Sequence, residues 1–128
     1  MHQVALVVDD SMLMRYTVCR FLEERGFTVE CASNGAEALD MLARMQPNLI
    51  VTDLQMPKMT GDELIAAVKS KPPLSAVPII IVAGRASAEK PEQVADFIIY
   101  KDVDIDAQLA KALDALLGKT ARIQKAGN

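Results

Sequence analysis

Five short apolar segments alternate with segments of helical periodicity along the chain, and this alternation constrains the fold more than any other feature. The apolar segments are residues 4–8, 27–31, 49–51, 79–82 and 97–100. Between the first two, Met14, Val18, Phe21 and Leu22 recur at the spacing of one helix face. Strands that alternate with helices predict a parallel sheet with helices on both of its faces.

The second strand is predicted at an edge of this sheet. Residues 4–8 are continuously apolar, as in a strand covered on both faces, whereas residues 27–31 alternate apolar and polar side chains. Right-handed crossovers leave few topologies for five parallel strands. The doubly wound, flavodoxin-like order 2-1-3-4-5 fits, because it puts the second strand at an edge and the carboxyl ends of strands one and three together. The predicted fold class is α/β.

Length and composition indicate one domain and exclude several functions. The chain has 128 residues, 51% hydrophobic, which suits one core. The helical period weakens after Gly118, so we predict a domain over 1–118 and a frayed tail or linker over 119–128. A formal charge of -3 argues against nucleic-acid binding, and the absence of a long apolar run or leader-like segment predicts a cytoplasmic protein without membrane contact.

The two cysteines give no sign of a metal site. Cys19 and Cys31 fall within a predicted helix and a predicted strand, and their spacing is not that of metal ligands. We expect both to be reduced thiols in or near the core.

Acidic residues end two strands that the predicted topology makes neighbours. Asp9 and Asp10 follow the first strand, and Asp53 ends the third. One such residue is often only a helix cap or a turn residue, but three ionised carboxylates at close range repel one another. Either one of them takes a proton or a cation is bound. Oxygen ligands without nearby His or Cys favour Mg²⁺, which would let a phosphorylated molecule approach Asp53 as a nucleophile.

Lys101 directly follows the fifth strand, so the topology places it at the same edge of the sheet. An ordinary solvent-exposed lysine is one reading of this position. The other is a point charge that reaches Asp53 or a phosphoryl group bound there.

These motifs together resemble the response-regulator receiver family, which includes the chemotaxis regulator. The similarity covers about residues 3–118 and is carried by Val-Val-Asp-Asp-Ser at 7–11, Asn-Gly-Ala-Glu-Ala-Leu at 34–39 and Asp-Leu-Gln-Met-Pro-Lys-Met-Thr-Gly at 53–61. The resemblance implies that Asp53 accepts a phosphoryl group and, with Asp10 and the main-chain carbonyl of Gln55, binds Mg²⁺ directly. It also implies that Asp9 acts through metal-bound water and that Lys101 contacts the phosphoryl group.

The same resemblance implies the partners. The donor would be the phosphohistidine of a sensor histidine kinase or of a phosphotransfer protein, and an unknown protein would respond downstream. Such a chain catalyses at most its own phosphorylation and dephosphorylation, so we do not expect a turnover enzyme.

The chain departs from the family where phosphorylation is usually relayed. Ala83 stands where Thr or Ser is usual, so a hydroxyl is missing, although the main-chain N–H of the following Gly84 can still donate to a phosphoryl oxygen. Ile98 replaces the switch aromatic, and strand alternation puts Tyr100 on the same face as Ile98. Tyr100 is therefore either a substitute switch residue or, as we favour, an ordinary tyrosine at a strand end.

Two further departures change the predicted output surface. Asp102 replaces the Pro that usually follows the conserved Lys, so a trans peptide bond is expected there. The segment from Ala83 to Lys101 is short, which leaves about two turns for the fourth helix within residues 88–95 and predicts a shortened helix.

The sequence thus favours a receiver phosphorylated at Asp53. The alternative is a phosphorylation-independent interaction module on the same fold, motivated by Ala83, Ile98 and Asp102. A magnesium-dependent phosphohydrolase is less favoured because position 55 is Gln rather than a second carboxylate, and a flavodoxin-like cofactor protein is disfavoured by the acidic first loop.

Overall fold

The computed structural model describes residues 3–56, 58–84, 95–101 and 104–127, with side chains as far as Leu116. The first half of this chain contains β1 (Gln3–Val8), α1 (Met12–Glu23), β2 (Phe27–Ala32), α2 (Gly35–Leu42) and β3 (Leu49–Asp53). The second half contains α3 (Gly61–Lys69), a 3₁₀ turn (Leu74–Ala76), β4 (Ile79–Ala83), β5 (Phe97–Tyr100) and α4 (Ile105–Gly127).

The five strands form one parallel sheet in the order β2-β1-β3-β4-β5, as the sequence predicts. Strand β2 lies at an edge, which is why its outward-facing Thr28 and Glu30 can be polar and exposed. In the register of β1 and β3, Val8 lies beside Thr52. The residues that follow these two positions, Asp9 and Asp53, are therefore brought to the same edge of the sheet.

A separate apolar layer fills the space on each face of the sheet, because successive strand residues point to opposite sides. On one face, Val7, Val51 and Val82 pack against α1 and α4. On the other, Leu6, Ile50 and Ile81 pack against α2 and α3. The helix residues that complete the two layers are, respectively, Val18, Phe21, Leu22, Leu109 and Leu113, and Ala38, Leu42, Leu64, Ile65 and Val68.

The alternation predicted for β5 is confirmed. Phe97 and Ile99 belong to the layer under α1 and α4, and Ile98 and Tyr100 belong to the layer under α2 and α3. Tyr100 is half-buried there, on the same face as Ile98.

Side-chain caps fix the points at which the helices begin. The Ser11 hydroxyl accepts the Met14 N–H at the start of α1, and the Asn34 side chain accepts the Glu37 N–H at the start of α2. Ser and Asn are both favoured residues at this position. Gly26 follows α1 with φ of +92°, a conformation that favours glycine and ends the helix.

The start of α3 is one that sequence analysis missed. Thr60 and Glu63 form a reciprocal capping box, in which each side chain accepts the other's backbone N–H, at 3.2 Å and 2.9 Å. Gly61 is therefore the first residue of α3 and not part of the preceding loop. The signal was present as Thr followed three residues later by Glu.

The last helix differs from the expectation of fraying after Gly118, because α4 continues to Gly127. The residues after Gly118 include no proline, and Ala, Arg, Gln and Lys among them favour helix. Whether 119–128 serves as a linker stays a prediction. The short helix predicted between β4 and β5 depends on residues 88–94, and the altered turn after Lys101 depends on Asp102. These residues lie outside the described part of the chain. Within the described chain, no helix is both long enough and apolar enough to cross a membrane.

Candidate functional site

Three carboxylates converge at the carboxyl edge of the sheet, as the sequence predicts. Asp9, Asp10 and Asp53 each offer an oxygen, and these oxygens all lie within 4.8 Å of one another. Asp9 and Asp53 are both 3% exposed, whereas Asp10 is exposed. Two buried carboxylates and one accessible carboxylate thus form an acidic cup that opens toward solvent.

Asp9 is held by contacts from three directions. Its N–H donates to the Ala32 carbonyl at 3.1 Å, and its Oδ1 accepts the Ser11 N–H at 2.9 Å. Its own carbonyl accepts a bond of 2.7 Å from Nη1 of Arg15. Sequence analysis missed Arg15, because a bond between a side chain and a carbonyl six residues away leaves no signal in helical periodicity.

Lys101 reaches into the acidic cup from the end of β5. Its Nζ lies 3.2 Å from Oδ2 of Asp53 and 3.7 Å from Oδ2 of Asp9. The backbone N–H of Lys101 donates to the Ala83 carbonyl at 2.9 Å, which continues the pairing of β4 and β5 by one residue. Of the two readings of Lys101, the structure thus favours the point charge near Asp53, while its contact with a phosphoryl group stays a prediction.

A second residue that sequence analysis missed anchors the backbone just before Lys101. Gln108 of α4 accepts the Tyr100 N–H at 2.9 Å and donates to the Tyr100 carbonyl at 2.8 Å. These backbone groups lie on the outer side of β5, which is the second edge of the sheet. One amide side chain therefore satisfies both edge groups and fixes the strand end from which Lys101 projects.

Burial and mutual repulsion change the protonation of the two buried carboxyls. The pKa of Asp53 is raised to about 7, first by burial and then by the negative charge of Asp9, while Lys101 acts to lower it. The pKa of Asp9 is also raised, mainly by burial, while the Ser11 N–H and Lys101 act to lower it. A proton or a bound cation would relieve the repulsion between these carboxylates, and these are the two alternatives that the sequence analysis gives.

The remaining predicted site residues lie around the cup. Gln55 is exposed and lies in the turn after β3, two residues after Asp53. Ala83 is fully buried at the end of β4, and Gly84 follows it at the same edge. The Ala83 methyl group belongs to the apolar layer under α2 and α3.

Gly61 allows α3 to begin against the backbone of Asp53. A Cβ at this position would collide with the Asp53 carbonyl oxygen and would lie 2.9 Å from Cα of Leu54. The Gly61 N–H also donates to the Leu54 carbonyl at 2.9 Å. The helix start and the backbone that carries Asp53 are therefore packed as one unit.

We expect Gly61→Ala to destabilise the fold by about 2 kcal/mol, because backbone atoms must move to relieve the collision. Gly35→Ala is the comparison, since Gly35 also begins a helix but an added Cβ there lies 2.8 Å from Cβ and Cγ of Met59 rather than against backbone, so a smaller loss is expected. Urea unfolding of the two variants measures the difference. Equal losses at the two glycines would contradict this account of Gly61.

Comparisons with known proteins agree with this geometry. The response regulator receiver domain model matches residues 5–115. The response regulator MprA of Mycobacterium sp. (strain KMS) is 35% identical over 116 residues, which cover 89% of this chain and 47% of that protein. The chain spans less than half the length of the curated relatives that it matches first.

Two solved structures share the whole fold. The chemotaxis response regulator CheY4 of Vibrio cholerae is 30% identical with a TM-score of 0.81, over 90% of this chain and 98% of that one. The signal receiver domain of a signal transduction histidine kinase from Syntrophus aciditrophicus is 31% identical with a TM-score of 0.81, over 91% of each chain. Since the family model covers most of the chain and the topology agrees, the chain belongs to the response regulator receiver domain family of two-component signalling.

Proposed function

We propose that this chain accepts a phosphoryl group on Asp53, in a reaction that requires Mg²⁺, from the phosphohistidine of a sensor histidine kinase or phosphotransfer protein. The observation that carries the proposal is the position of the Asp53 carboxylate. It lies within 4.8 Å of oxygens of Asp9 and Asp10 and within 3.2 Å of Nζ of Lys101. A single carboxylate is thus surrounded both by cation ligands and by a fixed positive charge.

The donor set suits Mg²⁺. The three side chains offer only oxygen, and Asp10 is open to solvent, so a bound ion can keep several waters as Mg²⁺ does in proteins. Asp10, Asp53 and the Gln55 carbonyl are the direct ligands in the proposal, with Asp9 acting through bound water. The ion would supply positive charge that favours the ionised form of Asp53 and offsets the charge of phosphoryl oxygens.

The residues of this chain then have separate roles. An oxygen of ionised Asp53 forms a bond to phosphorus, the P–N bond of the donor breaks, and the imidazole leaves with the electron pair. Lys101, already beside Asp53, neutralises part of the charge on the transferred group. The Gly84 N–H is proposed to donate to a phosphoryl oxygen. The product is an acyl phosphate on Asp53.

Incubation with acetyl phosphate and Mg²⁺ should add one phosphoryl group, detected by intact mass. The adduct should be absent from Asp53→Asn and strongly reduced when EDTA removes the cation. Asp40→Asn, which removes an exposed carboxylate from α2, is the matched control and should retain it. No adduct with acetyl phosphate, phosphoramidate or any phosphohistidine donor, or an adduct that persists in Asp53→Asn, would refute the proposal.

The proposed activity is signalling rather than turnover. Phosphoryl gain and loss at Asp53 would change the surface offered to a downstream protein, and the chain would not process a pool of substrate. The predicted location of such a protein is the cytoplasm, where sensor kinases present their phosphohistidine.

A phosphorylation-independent interaction module is the second candidate, and Ala83 is the observation that favours it. The residue is fully buried and has no hydroxyl with which to follow a phosphoryl group. Beryllofluoride with Mg²⁺, added while backbone amide shifts are recorded, separates the two functions. Shifts that reach Tyr100 would argue against the second candidate, whereas shifts confined to the acidic cup would support it.

A further inference from the structure

Cys19 and Cys31 lie on facing elements, although they are distant in sequence. Cys19 belongs to the apolar layer between α1 and the sheet, and Val29 of β2 packs against the same layer. Cys31 follows Val29 by two residues and so points to the same face of β2. Its neighbour in the adjacent strand, Val7, is also a member of that layer. Both the alternation of side chains within β2 and its pairing with β1 thus place Cys31 on the face of the sheet that α1 covers.

The α1-facing side of the sheet thus carries both thiols, Cys19 from the helix and Cys31 from the edge strand. The pKa of Cys19 is raised, first by burial and then by the nearby Cys31. Glu23 raises the pKa of Cys19 further, and Arg15 lowers it. Cys19 is buried whereas Cys31 is exposed, so the expectation that both thiols lie in or near the core is wrong for Cys31. The edge position of β2 leaves that end of the strand uncovered.

We propose that Cys19 and Cys31 form a reversible intramolecular disulfide that links α1 to the edge strand β2, with a low-molecular-weight disulfide as the oxidant. The pair has the arrangement of a redox-sensitive site, with one accessible thiol for the first reaction and one buried thiol beside it for the second. The inference concerns two thiols outside the acidic cup and does not depend on phosphoryl transfer to Asp53.

The reaction balances as two exchanges. The Cys31 thiolate attacks one sulfur of the oxidant, the oxidant's S–S bond breaks, and one small thiolate leaves and takes up a proton. Cys19 then gives its proton to solvent and attacks Sγ of Cys31, and the second small thiolate leaves and is protonated. Two protein thiols are oxidised and one small disulfide is reduced to two thiols. The burial of Cys19 makes the second exchange the slower one.

The disulfide would act next to the acidic cup. Ala32 directly follows Cys31, and its carbonyl accepts the N–H of Asp9 at 3.1 Å. A covalent link between α1 and β2 also restricts the unfolded chain, so the oxidised protein should resist urea better than the reduced protein. Oxidation thus stiffens the strand end that positions Asp9.

The full chain, held in buffers of increasing ratio of oxidised to reduced glutathione, is the test. After acid quenching and alkylation with maleimide, intact mass should show the loss of two hydrogens and the loss of both alkylation sites together. The oxidised species should run as a monomer without reductant, and its urea midpoint should rise and return after dithiothreitol. Cys31→Ser, a change at an exposed position, should show neither the mass change nor the shift in midpoint.

Three results would overturn the proposal. They are a glutathione adduct on Cys31 that persists without closure, a disulfide-linked dimer as the end product, and an intramolecular disulfide that forms only when urea is present. The last distinguishes a site built into the native fold from two thiols that meet only in the unfolded chain.

Discussion

At pH 8 and without divalent cations, Asp53→Asn should unfold at a higher urea concentration than the unsubstituted protein. Burial and the charge of Asp9 raise the pKa of Asp53 from 3.8 to about 7. Three pKa units correspond to roughly 4 kcal/mol between the two protonation states. The attraction of Lys101 is already contained in that pKa, and the amide removes the buried charge, so a net gain of about 2–4 kcal/mol is expected.

The dependence on pH gives this prediction its sign. A raised folded-state pKa means that the folded protein binds the proton of Asp53 more tightly than the unfolded chain does. Between pH 3.8 and about 7 the unfolded chain therefore carries fewer protons, and the contribution of Asp53 to stability falls as the pH rises. Below this window both states are protonated and the penalty vanishes. The advantage of Asp53→Asn should thus be largest at pH 8 and should disappear toward pH 4.

Urea unfolding in EDTA at pH values from 4 to 8 measures the difference between the two proteins. Asp40→Asn is the control, because it removes an exposed carboxylate and should show no comparable trend. Added Mg²⁺ should reduce the difference in stability between the two proteins at pH 8. A ligand that binds the folded state stabilises that state, and Asp53→Asn weakens the proposed Mg²⁺ site. Equal stability at pH 8, or a gain that is unchanged at pH 4, would contradict the raised pKa of Asp53.

The topology and the acidic cup could be predicted because both follow from local sequence patterns. The continuous apolar run of β1 and the alternation of β2 distinguish a central strand from an edge strand. Once the strand order is known, the residues that end β1 and β3 must meet. The prediction of Asp9 beside Asp53 therefore needed only the order of the strands.

The supporting contacts could not be predicted, because they depend on tertiary packing. Arg15 bonds the Asp9 carbonyl and Gln108 bonds the backbone of Tyr100 through side-chain geometry that no period or motif encodes. The tight approach of Gly61 to Asp53 is likewise set by how α3 packs. The pKa of Asp53 also depends on its burial, which the sequence indicates only through the fold.

Lys101→Met is expected to lower stability by about 2 kcal/mol at pH 8, in the direction opposite to Asp53→Asn. Met has similar length but no charge, so Asp53 and Asp9 lose the cation that lies 3.2 Å and 3.7 Å from them. Breaking a fully buried pair costs about 3–5 kcal/mol, and the value is reduced here because the Lys101 side chain is 27% exposed. Lys111→Met, at an exposed position of α4, is the matched control and should change stability by less than about 0.5 kcal/mol.

A double-mutant cycle identifies the partner of Lys101. If the ion pair with Asp53 dominates, Lys101→Met should cost much less in the Asp53→Asn background, where only Asp9 still attracts the ammonium group. The loss in the unsubstituted background should also shrink toward pH 4, because protonated carboxyls no longer need the cation. Urea midpoints of the four proteins at pH 8 and pH 4 measure both effects. An equal loss in both backgrounds would show that the contribution of Lys101 comes from packing, or from Asp9, rather than from its charge beside Asp53.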